Sequence, residues 1–205
     1  MTRRFVLLSH AVTTPEFTLK DLAGSAKRMD VVCRAVQAAL FLSHGIRTDT
    51  TLFAVLHGPP RPPVTVKLDG ALLRKVHPNE RVLGIFMQKA LRAVATVPEG
   101  DWVESTPGIF VRRGGLAVLL DELGGRVCLM REGAPDLRGT KVPEDAVFVL
   151  GDYLDPEADW LTGLERRDPL YVSVGPRSVF ASHAMVLVHN ELDRSEGTDT
   201  RSDGK

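Results

Sequence analysis

Short, uninterrupted apolar runs separated by stretches of helical periodicity constrain this chain more than any other feature. Val127–Met130 and Ala146–Leu150 show no polar alternation, the pattern of strands covered on both faces. Arg4–Ser9, Thr51–His57, Val64–Leu68, Ile109–Val111 and Leu170–Val174 read as further strands. Between them, apolar spacing predicts a helix over Ser25–Ser43, capped by Ser25 and stopped at Gly45, with Met29, Val32, Val36, Ala39 and Leu40 recurring at helical spacing. Other helices are expected from Pro78-Asn79-Glu80 to Ala95, over Leu116–Leu123 and Glu157–Leu164, and from a Ser182 cap through Leu192. Strand-then-helix alternation predicts an α/β fold with a mostly parallel sheet flanked by helices.

With 205 residues the chain fits one domain, expected over residues 1–193. The polar, Gly/Ser/Asp-rich stretch Arg194–Lys205 is expected to be a disordered tail. The apolar start is cut short by His10 and Thr13-Thr14-Pro15-Glu16, so it reads as a first strand and not a leader. No apolar run approaches the ~20 residues that span a bilayer. Cys33 and Cys128 form no metal-ligand or redox spacing. A cytoplasmic protein without membrane or metal is expected.

Formal net charge is zero, but it is unevenly spread. Residues 1–113 hold 16 Lys+Arg against 9 Asp+Glu, and residues 114–205 hold 10 against 17. A polyanion such as RNA would be steered to the first half, because phosphate attraction follows the local field. Chance asymmetry is the alternative.

Familiar chemical signatures are missing. There is no G-x-G-x-x-G after a strand, no P-loop and no G-x-S-x-G elbow. His183 and His189 lie six apart, which does not place two metal ligands on one helical face. What remains is glycine at strand ends, in Phe148-Val149-Leu150-Gly151-Asp152 and in Val172-Ser173-Val174-Gly175-Pro176. Ligands of parallel sheets sit at the carboxyl ends of strands, where glycine lets backbone approach closely. Ordinary turn chemistry would explain either glycine taken singly.

Longer segments carry more. Asp21-Leu22-Ala23-Gly24-Ser25-Ala26-Lys27-Arg28-Met29-Asp30-Val31-Val32-Cys33-Arg34 runs into Leu42-Ser43-His44-Gly45-Ile46-Arg47. Ser105-Thr106-Pro107-Gly108-Ile109-Phe110-Val111-Arg112-Arg113 follows, then Val149-Leu150-Gly151-Asp152. Ala181-Ser182-His183 and Val188-His189-Asn190-Glu191-Leu192-Asp193 close the series. In this order and spacing, from Phe5 to Asp193, the series resembles the archaeal tRNA pseudouridine-54 N1-methyltransferases and their bacterial relatives, of the SPOUT superfamily.

The resemblance implies a C-terminal trefoil knot, a homodimer, tRNA as partner and S-adenosylmethionine as cofactor. By position it places the cofactor at Leu129, at Gly151, along Val174-Gly175-Pro176-Arg177-Ser178-Val179, and at Ala184, where some relatives have cysteine. Two further departures are Tyr153, where the family often has histidine, and Gly45, where it usually has an acidic residue.

Methyl transfer to a ring nitrogen needs alignment and loss of the nitrogen's proton, with little covalent help. Asp30 and Arg34 share a helical face at i, i+4 and are the catalytic candidates, the carboxylate as proton acceptor and the arginine as a stabiliser of developing charge. Their plain alternative is a surface ion pair worth about 0.3–0.5 kcal/mol. Arg28, Ser105, Thr106, Gly108, Arg112 and Arg113 are the substrate-binding candidates, the Pro-Gly turn and two arginines being expected to converge on a phosphate. Lys27, Arg47, Arg61, Arg74 and Lys75 look like generic phosphate-path residues. Two other readings stay open: a methyltransferase for another RNA pseudouridine or uridine, and a non-catalytic RNA-binding protein on the same fold.

Overall fold

A computed structural model describes residues 2–199 apart from 96, 97, 99 and 162, with the side chains of 197–199 also outside it. An eight-stranded sheet lies between two helical layers. In chain order the strands are β1 (Arg3–Ser9), β2 (Phe41–Leu42), β3 (Gly45–Ile46), β4 (Thr50–Leu56), β5 (Val64–Asp69), β6 (Val103–Thr106), β7 (Ile109–Arg113), β8 (Val127–Met130), β9 (Val147–Gly151) and β10 (Leu170–Val172). The helices are α1 (Met29–Leu40), α2 (Glu80–Val94), α3 (Leu116–Leu123) and α4 (Ala181–Asp199).

The large sheet has the order β10-β8-β9-β1-β4-β5-β7-β6, while β2 and β3 pair as a separate hairpin. From β10 to β4 every neighbouring pair is parallel. From β4 to β6 every pair is antiparallel. Connection length explains the change at β4–β5 and the pairing of β6 with β7. Seven residues link β4 to β5 and two link β6 to β7, too few for the crossover that parallel pairing needs.

Strand β1 shows how the core divides. Phe5 and Leu7 pack with α1, α2 and α4 on one face, and Val6 and Leu8 pack with α3 and Trp160 on the other. Both faces are covered, as the apolar runs require. Asn79 caps α2, its side chain accepting from Arg81 N and Val82 N.

Several expectations are corrected. Helix α1 begins at Met29, because Lys27 and Arg28 have φ of 46° and 68°, a left-handed turn outside any helix. Ser25 instead bonds Thr18 and Asp21. The chain after Leu40 leaves the helix for the β2–β3 hairpin, so Gly45 is a strand residue and not a stop. In the span expected to be helical from Glu157 to Leu164, residues 158–161 and 163–164 form turns held by Trp160 and Leu164 against the sheet, and a short 3-10 helix follows at Glu165–Arg167. Strand β6 was unforeseen. Helix α4 continues past Leu192 to Asp199, so the start of the expected tail is helical, tied down by an ion pair from Glu196 to Arg3. Residues 200–205 lie outside the described residues.

Candidate active site

Parallel register places the carboxyl ends of β8, β9, β1 and β4 along one edge, with Leu8 opposite Gly151 and Ser9 opposite Leu56. The loops after β8, β9 and β10 emerge there, and α1 and α4 begin there. Leu129 and Val174 are partly buried against the core, Ala184 is buried in the first turn of α4, and Pro176 to Val179 are exposed. Gly175 has φ of 138°, a conformation that favours glycine, and a Cβ there would meet open space. At Gly151 a Cβ would lie 3.1 Å from Pro156 Cδ and 3.3 Å from the Leu154 carbonyl, so the following turn packs closely on the strand end and a side chain there would push on it by a few tenths of an ångström.

Arg28, Asp30 and Arg34 stand together beside these loops. The left-handed turn at Arg28 brings its guanidinium back over the start of α1, where Nε and Nη2 each donate to an Asp30 oxygen at 3.0 Å. Arg34, one turn along α1, donates to Asp30 Oδ2 at 2.7 Å and lies 3.6 Å from Glu80. Burial pushes the Asp30 carboxyl up, but the hydrogen bonds and charges of both arginines outweigh it and hold the group below the usual carboxylate range. An ionised carboxylate with three strong donors on it is a weak base. Its geometry suits fixing two arginines better than accepting a proton. The arginine side chains remain 37% and 39% exposed, so they retain faces for a ligand. Arg28 also sits 4.9 Å from the centre of the Tyr153 ring, which joins the cluster to the Gly151 loop.

The other substrate candidates do not converge. The Ser105–Gly108 turn lies at the foot of β7 and the arginines at its head, about 13 Å apart at ~3.3 Å per residue. Gly108, φ 80°, packs on the Leu72–Leu73 backbone, where a Cβ would come within 2.4 Å of Leu73 N, and its N–H donates to Glu104. Ser105 bonds Ile109, and the Thr106 hydroxyl is buried. Arg112 is 3% exposed, stacks on Trp102 at 4.3 Å and pairs with Glu122 at 2.5 Å, while Arg113 reaches the Ala95 carbonyl. These residues brace the antiparallel edge. Arg47 is likewise taken up, with both terminal nitrogens on Asp193.

Sequence reasoning missed His10 and Asp152 as neighbours. The Asp152 side chain is fully buried and accepts from the His10 N–H at 2.7 Å and from Tyr153 N at 2.7 Å, with His10 Nδ1 3.0 Å away. His10 packs on Trp160, which stacks on His57 at 3.9 Å. Burial pushes His57 down to about 4. A separation of 142 residues hides the His10–Asp152 pair, although an aspartate directly after a strand-end glycine was the available signal. Among the described residues no His/Cys/Asp/Glu group could hold a metal, and no helix is long and apolar enough to cross a membrane.

Comparison with known proteins gives a consistent result. A family model described as a SAM-dependent RNA methyltransferase matches residues 2–197. The tRNA (pseudouridine(54)-N(1))-methyltransferase of Methanosarcina acetivorans is 42% identical over 197 residues, covering 95% of this chain and 92% of its own length. Its counterpart from Methanocella arvoryzae is 41% identical over 195 residues, covering 94% and 99%. Among solved structures, Archaeoglobus fulgidus Nep1 bound to S-adenosylhomocysteine matches 96% of this chain and 100% of its own, with a TM-score of 0.63 at 17% identity. That likeness speaks for the fold.

Proposed function

The chain belongs to the SAM-dependent RNA methyltransferase family, and from that premise we propose that it methylates N1 of pseudouridine 54 in the tRNA T-loop. The observation that carries the reading is the position of the Arg28–Asp30–Arg34 cluster beside the Gly151 loop, at the carboxyl edge of the parallel strands. The close Gly151 turn, the left-handed Gly175 and the apolar Leu129 and Val174 fit a purine nucleoside held by backbone groups between apolar walls. Leu129, Gly151, Val174–Val179 and Ala184 would hold S-adenosylmethionine, which supplies an electrophilic methyl group.

The chain's own part is alignment and charge. Asp30 locks both guanidinium groups, and the donors that Arg28 and Arg34 retain meet the uracil carbonyl oxygens, where negative charge grows as the N1 proton is lost to water. The N1–methyl bond forms as the sulfur–methyl bond breaks. Only a C-glycoside has a free N1–H, since N1 of uridine is already bonded to ribose.

Other features of the reading have their own support. For a trefoil knot within residues 1–193, the chain after β8 bonds both sides of Ser173 through Pro135 and Leu137, and Arg138 reaches Glu191 of α4. For a homodimer, Val179, Phe180 and Val186 leave apolar surface 42%, 73% and 51% exposed around the start of α4. A cytoplasmic location follows the tRNA substrate. The test is nucleoside mass spectrometry of T-loop tRNA after incubation with labelled cofactor. N1-methylpseudouridine on the pseudouridine transcript and nothing on the uridine transcript is the expected result, and equal labelling of both would defeat the assignment.

A further inference from the structure

A cavity of about 670 Å³ opens between α1, the start of α2 and the Leu19–Ala23 segment. Asp30 and Arg34 form part of its wall. Asp30 therefore stands between two compartments. Through Arg28 it faces Tyr153 and the Gly151 loop, and through Arg34 it faces this cavity, where Arg34 approaches Glu80.

The cavity has the walls of a nucleotide site. Leu19, Leu22 and Pro78 supply apolar surface. Gln37 donates to the Pro78 carbonyl through Nε2 and keeps its Oε1 acceptor. Asn79 uses Oδ1 to cap α2 and keeps its Nδ2 donors. One acceptor and one donor on neighbouring residues suit the edge of a splayed base. Lys20 and Arg81 are exposed at the wall, and neither forms an ion pair among the described residues.

A second cavity, of about 490 Å³, makes the contrast plain. His57, Pro62 and Trp160 line it together with Glu157 and Asp159, and among the described residues no lysine or arginine does. It would repel a phosphate. Both volumes fall in the range of small-ligand pockets, about 300–1,000 Å³, so size does not separate them. The first balances Lys20, Arg34 and Arg81 against Asp21, Asp30 and Glu80, but Arg34 holds Asp30 and Glu80 and the Asp21 side chain accepts from the Gly24 and Ser25 N–H groups, which leaves Lys20 and Arg81 for a phosphate.

We infer that the α1–α2 cavity is the subsite for a nucleotide next to the methylated one in the same RNA. Its base lies against Leu19, Leu22 and Pro78 with its edge on Gln37 and Asn79, and its phosphate meets Lys20 and Arg81. The inference rests on the RNA methyltransferase reading. It assigns the cavity to the strand that also delivers the target base, so contacts there select the RNA without touching the reacting atoms.

The experiment compares Gln37→Leu, Arg81→Glu and, on the α3 side of the sheet, the exposed Arg166→Glu, using a pseudouridine-containing T-loop transcript. Loss of a phosphate or base-edge contact should raise KM for RNA about 10-fold in the two cavity variants. Turnover at saturation and cofactor affinity should hold, and Arg166→Glu should stay within about twofold of wild type. An unchanged KM in both cavity variants, or an equal rise in Arg166→Glu, would overturn the inference. Fluorescence anisotropy of the labelled transcript, run on the same proteins, reads the subsite without turnover. If wild type binds the transcript but methylates no RNA, the functional reading fails, while the order of the dissociation constants still decides the subsite.

Discussion

Asp30 and Asp193 each accept hydrogen bonds from two arginines, at opposite ends of the sheet. Arg28 and Arg34 hold the first, and Arg3 and Arg47 hold the second. Asp193 is pulled down to about 2, chiefly by its bond from Arg47, and Asp30 is also lowered, with its burial working against the arginines. What separates the two clusters is the rest of each arginine. Arg3 is 1% exposed and places Nε against Asp49 and Nη2 against Glu196, while the Nη1 that donates to Asp193 also meets His189. Arg28 and Arg34 keep more than a third of their side chains in solvent beside a cavity and a glycine loop. One cluster closes on itself and pins α4 to β1. The other has donors left for something else.

Substitutions that break each cluster should therefore fail in different ways. The largest effect on stability is expected for Arg3→Ala, which removes a buried guanidinium from Asp49, Asp193 and Glu196 and should cost about 2–3 kcal/mol by urea denaturation, the three carboxylates being partly solvated already. Turnover per folded molecule should stay near wild type, and a large loss of turnover in the folded fraction would blur the comparison. Next, Arg34→Ala should lower turnover about 100-fold, the usual effect of removing one donor from developing charge. Its half-exposed side chain should cost only about 1 kcal/mol of stability or less. A denaturation midpoint shift as large as that of Arg3→Ala would make the Asp30 cluster structural.

Acid sharpens the contrast further. His189 is pushed down to about 4, first by burial and then by Arg47, and it stays neutral between Arg3 and the Ala39 carbonyl. Its native pKa is below the unfolded value of about 6.5, so the stability it confers is full above that value and declines as pH falls toward 4. The unfolded chain binds a proton that the folded one refuses, a loss on the order of 2 kcal/mol between pH 7 and pH 5. Thermal melts across that range should show the decline, and His189→Gln should flatten part of it, His57 supplying the rest. A pH-independent melting temperature there would contradict the buried, neutral His189.

The sequence was legible where local pattern and burial agree. The continuous apolar runs marked β8 and β9, and Pro78-Asn79-Glu80 marked the start of α2 almost to the residue. Asp30 and Arg34 could be paired because i, i+4 spacing survives in the folded helix. Failures came where tertiary contacts override local signals. Glu157–Leu164 has helical spacing, yet Trp160 is drawn onto His57 and the sheet, which holds the segment in turns. Arg112 and Arg113 looked available beside a Pro-Gly turn, but strand length carries them away from it, and Trp102 and Glu122 occupy Arg112. The polar stretch after Asp193 looked unable to pack, and Arg3 supplies its missing partner from the other end of the chain. No local pattern announces a contact across 193 residues.

The most direct test compares turnover of Asp30→Asn and Asp193→Asn on pseudouridine-containing tRNA, at neutral pH and a temperature where both proteins are shown by circular dichroism to be folded. Both substitutions remove one negative charge from between two arginines and keep the shape of the side chain. Asp30→Asn should fall about 100-fold in turnover, because Arg28 and Arg34 lose the anchor that aims them, and Asp193→Asn should remain within about twofold of wild type, because its arginines serve only the docking of α4. Equal turnover in the two variants, or the larger loss in Asp193→Asn, would contradict the account.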